Sequence, residues 1–121
     1  MEKPRELALT IGNILFEKGA KDIQILRVDH LTTIADSFVI ASGRNGQAVR
    51  ALAEDVEHKL VEKGIAPRRR EGMNESRWVV LDFSSVILHV FHPEEREYYN
   101  IERLWLDGTN LVEFKPEESA V

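Results

Sequence analysis

The spacing of the hydrophobic residues changes along this chain, and each change predicts a new secondary-structure element. Over residues 4–18 and again over about 47–63, apolar residues recur every three or four positions, which predicts two amphipathic helices. Residues 23–28 alternate between two faces and predict a strand. Residues 38–41 form a continuous apolar run, which is typical of a central strand buried on both faces.

The second half of the chain repeats this pattern with two more strands and a third helix. Residues 78–83 and 86–91 are predicted strands, and residues 93–105 are a predicted helix with proline in its first turn. Residues 67–72 are expected to form an irregular connector, and residues 111–114 a short strand or docked segment.

The predicted order of elements is α-β-β-α-β-β-α, which indicates an α/β fold with a mixed β-sheet flanked by helices. One domain over residues 1–121 suits the length of the chain. Its core is expected to span about residues 5–114, and the C-terminal tail, about residues 115–121, is expected to fray.

Composition and charge exclude several classes of function. The longest apolar runs fall far short of the ~18 residues that a membrane span needs, so no membrane partner is expected. The N-terminus lacks the apolar block of a signal peptide, and a cytoplasmic location is expected. The chain has no cysteine, which excludes disulfides and thiolate metal sites. Its net charge of −5 argues against general nucleic-acid binding but is compatible with a basic protein partner.

Candidate catalytic and metal-binding groups are sparse. A nucleotidyltransferase needs paired carboxylates after its first sheet turn, where this chain has Arg44 and Asn45, and Asp82 stands alone on its strand. His89 and His92 lie three apart in or just after a strand and are poorly placed to share a metal ion. The sequence therefore predicts no enzyme, no metal site and no cofactor. Nucleotide binding at residues 42–47 stays open, because that turn precedes a helix N-terminus.

Arg68, Arg69 and Arg70 form the only basic run. Two interpretations remain: a solvated connector between helix and sheet, or a peripheral contact with RNA phosphates.

The Trp and Tyr residues are concentrated near one predicted helix. Tyr98, Tyr99 and Trp105 lie within it, and Trp78 begins the preceding strand pair. Tyr98 and Tyr99 differ by about 100° around a helix, so the rings cannot all be core residues. Tyr98, Ile101 and Trp105 are predicted to share one face, which would pack on the sheet or dock on a partner. Asp82, on the Trp78 face of its strand, predicts that this face is only partly covered.

Several separate motifs, in order along the chain, make the sequence resemble the Iojap, or RsfS, family of ribosomal silencing factors. They are DSFVIASG at 36–43, EG at 71–72, WVVLD at 78–82, HVF at 89–91, REYY at 96–99 and LWLD at 104–107. The likeness extends over about residues 5–107.

The resemblance implies a fold that is nucleotidyltransferase-like without the catalytic residues. It also implies binding to the large ribosomal subunit through its ribosomal protein number fourteen. Such binding blocks joining of the small subunit and represses translation under nutrient limitation, and organellar relatives act in ribosome assembly. A homodimer that hides the aromatic residues is a further alternative. The expected partner-binding residues are Trp78, Asp82, Arg96, Tyr98, Tyr99, Glu102, Leu104 and Trp105.

Overall fold

A computed structural model describes residues 4–116 as one mixed six-stranded sheet with helices on both faces. The elements are α1 (Pro4–Glu17), β1 (Lys21–Arg27), β2 (Ser37–Ser42), α2 (Gly46–Glu62), β3 (Arg69–Glu71), β4 (Trp78–Asp82), β5 (Val86–Phe91), α3 (Pro93–Tyr99), α4 (Ile101–Trp105) and β6 (Leu111–Val112). The strand order across the sheet is β3-β4-β5-β2-β1-β6. Strands β2 and β5 are parallel, and the other neighbouring pairs are antiparallel. The predicted α/β class is confirmed, while residues 117–121 of the predicted tail lie outside the described residues.

The two central strands hold the sheet in the interior. Every residue of β2 and β5 is buried, as the continuous apolar run at residues 38–41 predicted. On β4 the two faces alternate: Val79 and Leu81 join the core beneath α1 and α2, whereas Trp78 and Val80 pack with the cluster on the opposite face. That opposite face is covered by α4 through Ile101 and Trp105.

The arginine-rich connector contains a strand that the sequence pattern did not predict. Residues 69–71 pair antiparallel with β4, with Arg70 opposite Leu81. All three residues are exposed because β3 is the edge of the sheet, so no buried face produces an alternating apolar pattern.

The single helix predicted over residues 93–105 is wrong, because the chain breaks at Asn100. This residue adopts the left-handed conformation (φ 44°, ψ 54°), which Asn tolerates better than most side chains and which ends α3. The prediction that Tyr98, Ile101 and Trp105 share one face is also wrong. Tyr98 is exposed while Ile101 is buried, because the break changes the direction of the second helix.

The C-terminal segment is docked, as expected. Leu111 and Val112 pair with β1, and the Phe114 ring lies over Gly12 of α1, where an added Cβ would come within 2.9 Å of it. Within residues 4–116, no helix combines the length and apolar character needed to cross a membrane.

Candidate functional site

Trp78 is the fixed platform of the site. Its ring stacks on that of Phe91, its direct neighbour on β5, with centroids 4.9 Å apart. Its indole N–H donates to Nδ1 of His89 over 3.1 Å. The ring of Tyr99 packs against it at 4.9 Å. Trp78 is therefore held on three sides and remains only half-buried.

Tyr98 and Tyr99 project from the end of α3 into solvent. Tyr98 is 81% exposed and Tyr99 is 47% exposed. Their rings meet edge to face with centroids 4.9 Å apart, which orients Tyr98 through Tyr99 and Trp78. A shallow cavity of about 310 Å³ lies beside them, lined by both tyrosines and by Glu94 and Glu95. We call Trp78, Tyr98 and Tyr99 the aromatic patch.

His89 supports the patch from below. Burial lowers the pKa of His89 to about 4, so the imidazole is neutral at pH 7. Because Nδ1 accepts the Trp78 hydrogen bond, the ring proton resides on Nε2. Nε2 has no hydrogen-bond partner within residues 4–116. A charged imidazole would lose the Nδ1 acceptor and with it the hydrogen bond to Trp78.

At the far end of this face, α4 places two adjacent predicted residues differently. Trp105 is half-buried, and its ring meets that of Phe38 edge-on at 5.0 Å. Leu104 is 75% exposed. Of the two, Leu104 offers the larger contact surface, and Trp105 mainly holds α4 on the sheet.

Arg96 and Glu102 join the two short helices to each other instead of forming an exposed rim. Their side chains are only 11% and 15% exposed, and Arg96 Nε lies 3.2 Å from Glu102 Oε1. Arg96 also donates from Nη1 to the hydroxyl of Ser42 over 2.9 Å. The pair therefore fixes α3 against α4 across Asn100 and ties both to the end of β2.

Asp82 is also an internal residue. It lies four positions from Trp78 on β4, about 13 Å along the strand. One carboxylate oxygen accepts from the backbone N–H of Ser84 at 2.8 Å and the other from Arg68 Nε at 3.2 Å. The prediction that the Trp78 face of β4 is only partly covered is confirmed, because Trp78 and Val80 are only half-buried, but Asp82 itself is buried. These two donors compensate its charge.

Two of the three arginines in the basic run form ion pairs within the chain. Arg68 pairs with Asp82, and Arg70 Nη1 lies 2.8 Å from Glu57 Oε1. Arg69 has no ion pair within the described residues. This arrangement favours the structural interpretation for Arg68 and Arg70.

Two other features near the patch could in principle hold a ligand. His92, Glu94 and Glu95 bring ligand atoms within 4.8 Å of one another. The guanidinium of Arg77 already pairs with Glu94 at 3.3 Å and Glu95 at 2.5 Å, and this contact lowers the pKa of Glu95. A bound cation would have to displace Arg77.

The second feature is a cavity of about 540 Å³ at the turn after β2, where nucleotide binding was left open. It is lined by equal numbers of basic and acidic side chains: Lys21, Arg44 and Arg96 against Asp22, Glu97 and Glu102. Equal numbers of opposite charges do not favour a polyphosphate.

Sequence reasoning missed the residues that support the patch, His89 and Phe91 on β5 and Arg77 before β4. The strand pattern carried a usable signal for two of them. In an antiparallel pair, the residues opposite Trp78 and Val80 lie on the same face, and these are Phe91 and His89. Arg77 gave no periodic signal, because it lies just before β4, outside the predicted strand.

Comparisons with known proteins agree with this architecture. Residues 1–120 match the family model described as ribosomal silencing factor during starvation, RsfS. The chain is 41% identical over 92 residues to the ribosomal silencing factor RsfS of Bacillus subtilis, covering 76% of this chain and 78% of that one. It is 38% identical over 107 residues to RsfS of Halalkalibacterium halodurans, covering 88% and 92%.

A more distant relative and a solved structure extend the comparison. The mouse protein named mitochondrial assembly of ribosomal large subunit protein 1 is 32% identical over 100 residues, which cover 77% of this chain and 42% of that longer protein. A crystal structure of a Chromobacterium violaceum protein superposes with a TM-score of 0.84 at 31% identity, covering 98% and 97% of the two chains. The chain belongs to the RsfS family of ribosomal silencing factors, which are regulators and not enzymes.

Proposed function

We propose that the aromatic patch docks on large-subunit ribosomal protein number fourteen, and that the bound domain obstructs joining of the small subunit. Translation would then be repressed when nutrients are limiting. The proposal places the protein with ribosomes in the cytoplasm. The main support for the proposal is that Tyr98 and Tyr99 are exposed and that Tyr99 packs on the ring of Trp78, which is itself fixed to the sheet.

The geometry of the patch suits tight binding. Tyrosine supplies a large contact area while losing little conformational entropy, and binding hot spots are enriched in Tyr and Trp. Here much of the ordering cost is met before binding, because Tyr99 already packs on Trp78 and Tyr98 on Tyr99. A partner can bury these rings without first having to order them.

The charge around the patch favours a basic partner. Residues 93–107 contain five carboxylates and two guanidinium groups, and Arg77, which pairs with Glu94 and Glu95, adds a third, so the region carries a net charge of −2 within a chain of net charge −5. An acidic surface around apolar anchors accelerates association with a basic protein and discriminates against acidic ones.

Binding to purified large subunits tests the proposal. Tyr98→Ala should lower the affinity measured by co-sedimentation about thirty-fold, because loss of a central anchor costs ~2 kcal/mol of binding free energy. Phe16→Ala is a matched control, since Phe16 is an exposed aromatic residue on α1, on the other side of the sheet. If a folded Tyr98→Ala protein binds as tightly as the wild type, the site assignment is wrong.

Ribosome assembly at the same surface is the second candidate function. The name of the mouse relative ties that protein to assembly of the mitochondrial large subunit. The two functions separate when small subunits are added to the bound complex. A blocker lowers the amount of joined ribosomes, whereas an assembly factor binds large subunits or their precursors without this loss.

A further inference from the structure

The aromatic patch alone is too small for a stable protein complex. A fully exposed tyrosine offers about 200 Å², so Tyr98 and Tyr99 at their exposed fractions offer about 250 Å² between them. A typical specific interface buries about 800 Å² on each partner. If the proposed function is right, the docking surface therefore extends beyond the patch.

Exposed apolar side chains indicate the direction of that extension. Leu104 of α4 is followed by the exposed Leu106, and the loop between β1 and β2 adds Leu31 (45% exposed) and Ile34 (56% exposed). The patch is also bordered by Glu94 and Glu95, whose ion pairs with Arg77 make that border polar. We call Leu31, Ile34, Leu104 and Leu106 the leucine band.

The two halves of the band lie on one apolar cluster. Val28 and Ala35, which flank the β1–β2 loop segment, are buried in the same cluster as Ile101 of α4. Trp105, the residue between Leu104 and Leu106, packs against this cluster. The band therefore continues the same face of the sheet that carries Trp78.

A polar bridge holds the loop against the end of α4. His30 Nε2 lies 2.5 Å from Asp107 Oδ2, and this hydrogen bond keeps the pKa of Asp107 well below its usual range. Asn110 adds a second connection, since its side-chain amide donates to the carbonyl oxygens of Trp105 at 2.7 Å and Arg27 at 2.9 Å. The loop and α4 are thus fixed to each other before any partner binds.

Exposed apolar residues elsewhere do not form a comparable surface. Phe16 and Val61 are exposed on α1 and α2, whose buried sides cover the other face of the sheet, and Leu111 is exposed on the edge strand β6. Single exposed apolar residues are normal on a protein surface, whereas a contiguous group beside an aromatic patch indicates an interaction site.

We propose that the leucine band is the second half of the docking surface for the same basic large-subunit protein, with His30 and Asp107 as the residues that position it. This inference rests on the proposed function. The occupant is assigned by continuity with the aromatic patch and by the acidic character of the segment that joins the two areas, residues 93–107.

The double variant Leu31→Ser/Ile34→Ser tests the band by titration of wild-type and variant protein against large subunits. Both side chains are exposed, so the fold should be retained. We expect at least a tenfold loss of affinity. The matched control is Phe16→Ser/Val61→Ser, which removes as many exposed apolar side chains from the other side and should bind like the wild type.

Tyr98→Ala in the same titration separates the two proposals. If Tyr98→Ala weakens binding and Leu31→Ser/Ile34→Ser does not, the leucine band is not part of the docking surface, and the assignment of the aromatic patch is retained. If only the loop double variant weakens binding, the band is a docking surface and the aromatic patch assignment fails. If neither changes affinity, both assignments are wrong.

Variants of His30 test the positioning role. His30→Ala removes the bridge to Asp107 and should weaken binding by a few-fold. His30→Gln keeps a side-chain donor for that carboxylate and should restore most of the affinity. Equal affinity of His30→Ala and wild-type protein would show that the bridge does not position the band.

Discussion

Trp78 and His89 lie diagonally across the neighbouring strands β4 and β5, and the hydrogen bond between them, 3.1 Å from indole nitrogen to Nδ1, requires a neutral imidazole. His89 is buried and contacts the ring of Trp78, which supports the two tyrosines of the aromatic patch. The protonation state of one core residue is therefore tied to the geometry of the proposed docking surface.

This relationship predicts a stability that falls in mild acid. The pKa of His89 is about 4 in the folded chain, against 6.5 when unperturbed. The unfolded chain takes up its proton first as the pH falls, so stability is lost between about pH 6.5 and 4, by up to about 3 kcal/mol. Chemical denaturation at a series of pH values measures the free energy of unfolding over this interval.

His89→Gln is the matching variant, since it retains an acceptor for Trp78 but does not titrate. Its stability should depend less on pH over the same interval, even if it is lower overall. An unchanged pH profile in His89→Gln would show that His89 is not the group responsible.

Gly72 is predicted to be the glycine on which the position of Trp78 depends. It has φ +84°, and a Cβ at this position would overlap the carbonyl oxygen of Trp78. Gly72→Ala should therefore cost more than the ~1–2 kcal/mol of a left-handed alanine and should alter Trp fluorescence. Gly19→Ala is the control, because Gly19 has φ +85° with no atom within 4 Å of the added carbon. Equal losses of stability for the two variants would contradict this.

We predict that Arg96 contributes mainly to the stability of the fold and affects binding only through it. Arg96→Ala leaves Glu102 largely buried without its cation and should lower the free energy of unfolding by about 2–3 kcal/mol. Arg103→Ala, an exposed change in the neighbouring helix, should stay within about 0.5 kcal/mol of the wild type. If the Arg96→Ala protein is as stable as the wild type and has lost only ribosome binding, Arg96 is a contact residue and this prediction is wrong.

The sequence predicted the parts of the fold that depend on burial. The apolar run at residues 38–41 and the alternation of residues 78–82 placed β2 and β4 correctly, because buried faces impose a period. The edge strand β3 buries nothing, and the break at Asn100 depends on one backbone conformation, so neither leaves a periodic pattern. The roles of Asp82 and Arg96 were not predictable because their partners Arg68 and Ser42 are distant in sequence. The ion pair of Arg96 with Glu102 depends on the break at Asn100, which the pattern did not predict.

The most direct test of the central claim is a subunit-joining experiment. Purified large subunits are incubated with wild-type protein, Tyr98→Ala or Phe16→Ala, small subunits are added, and the joined ribosomes are separated on a sucrose gradient. We predict fewer joined ribosomes with wild-type and Phe16→Ala protein, and near-normal joining with Tyr98→Ala. Undiminished joining with wild-type protein bound to the large subunit would contradict the blocking role, and equal blocking by Tyr98→Ala would contradict the aromatic patch as the docking site.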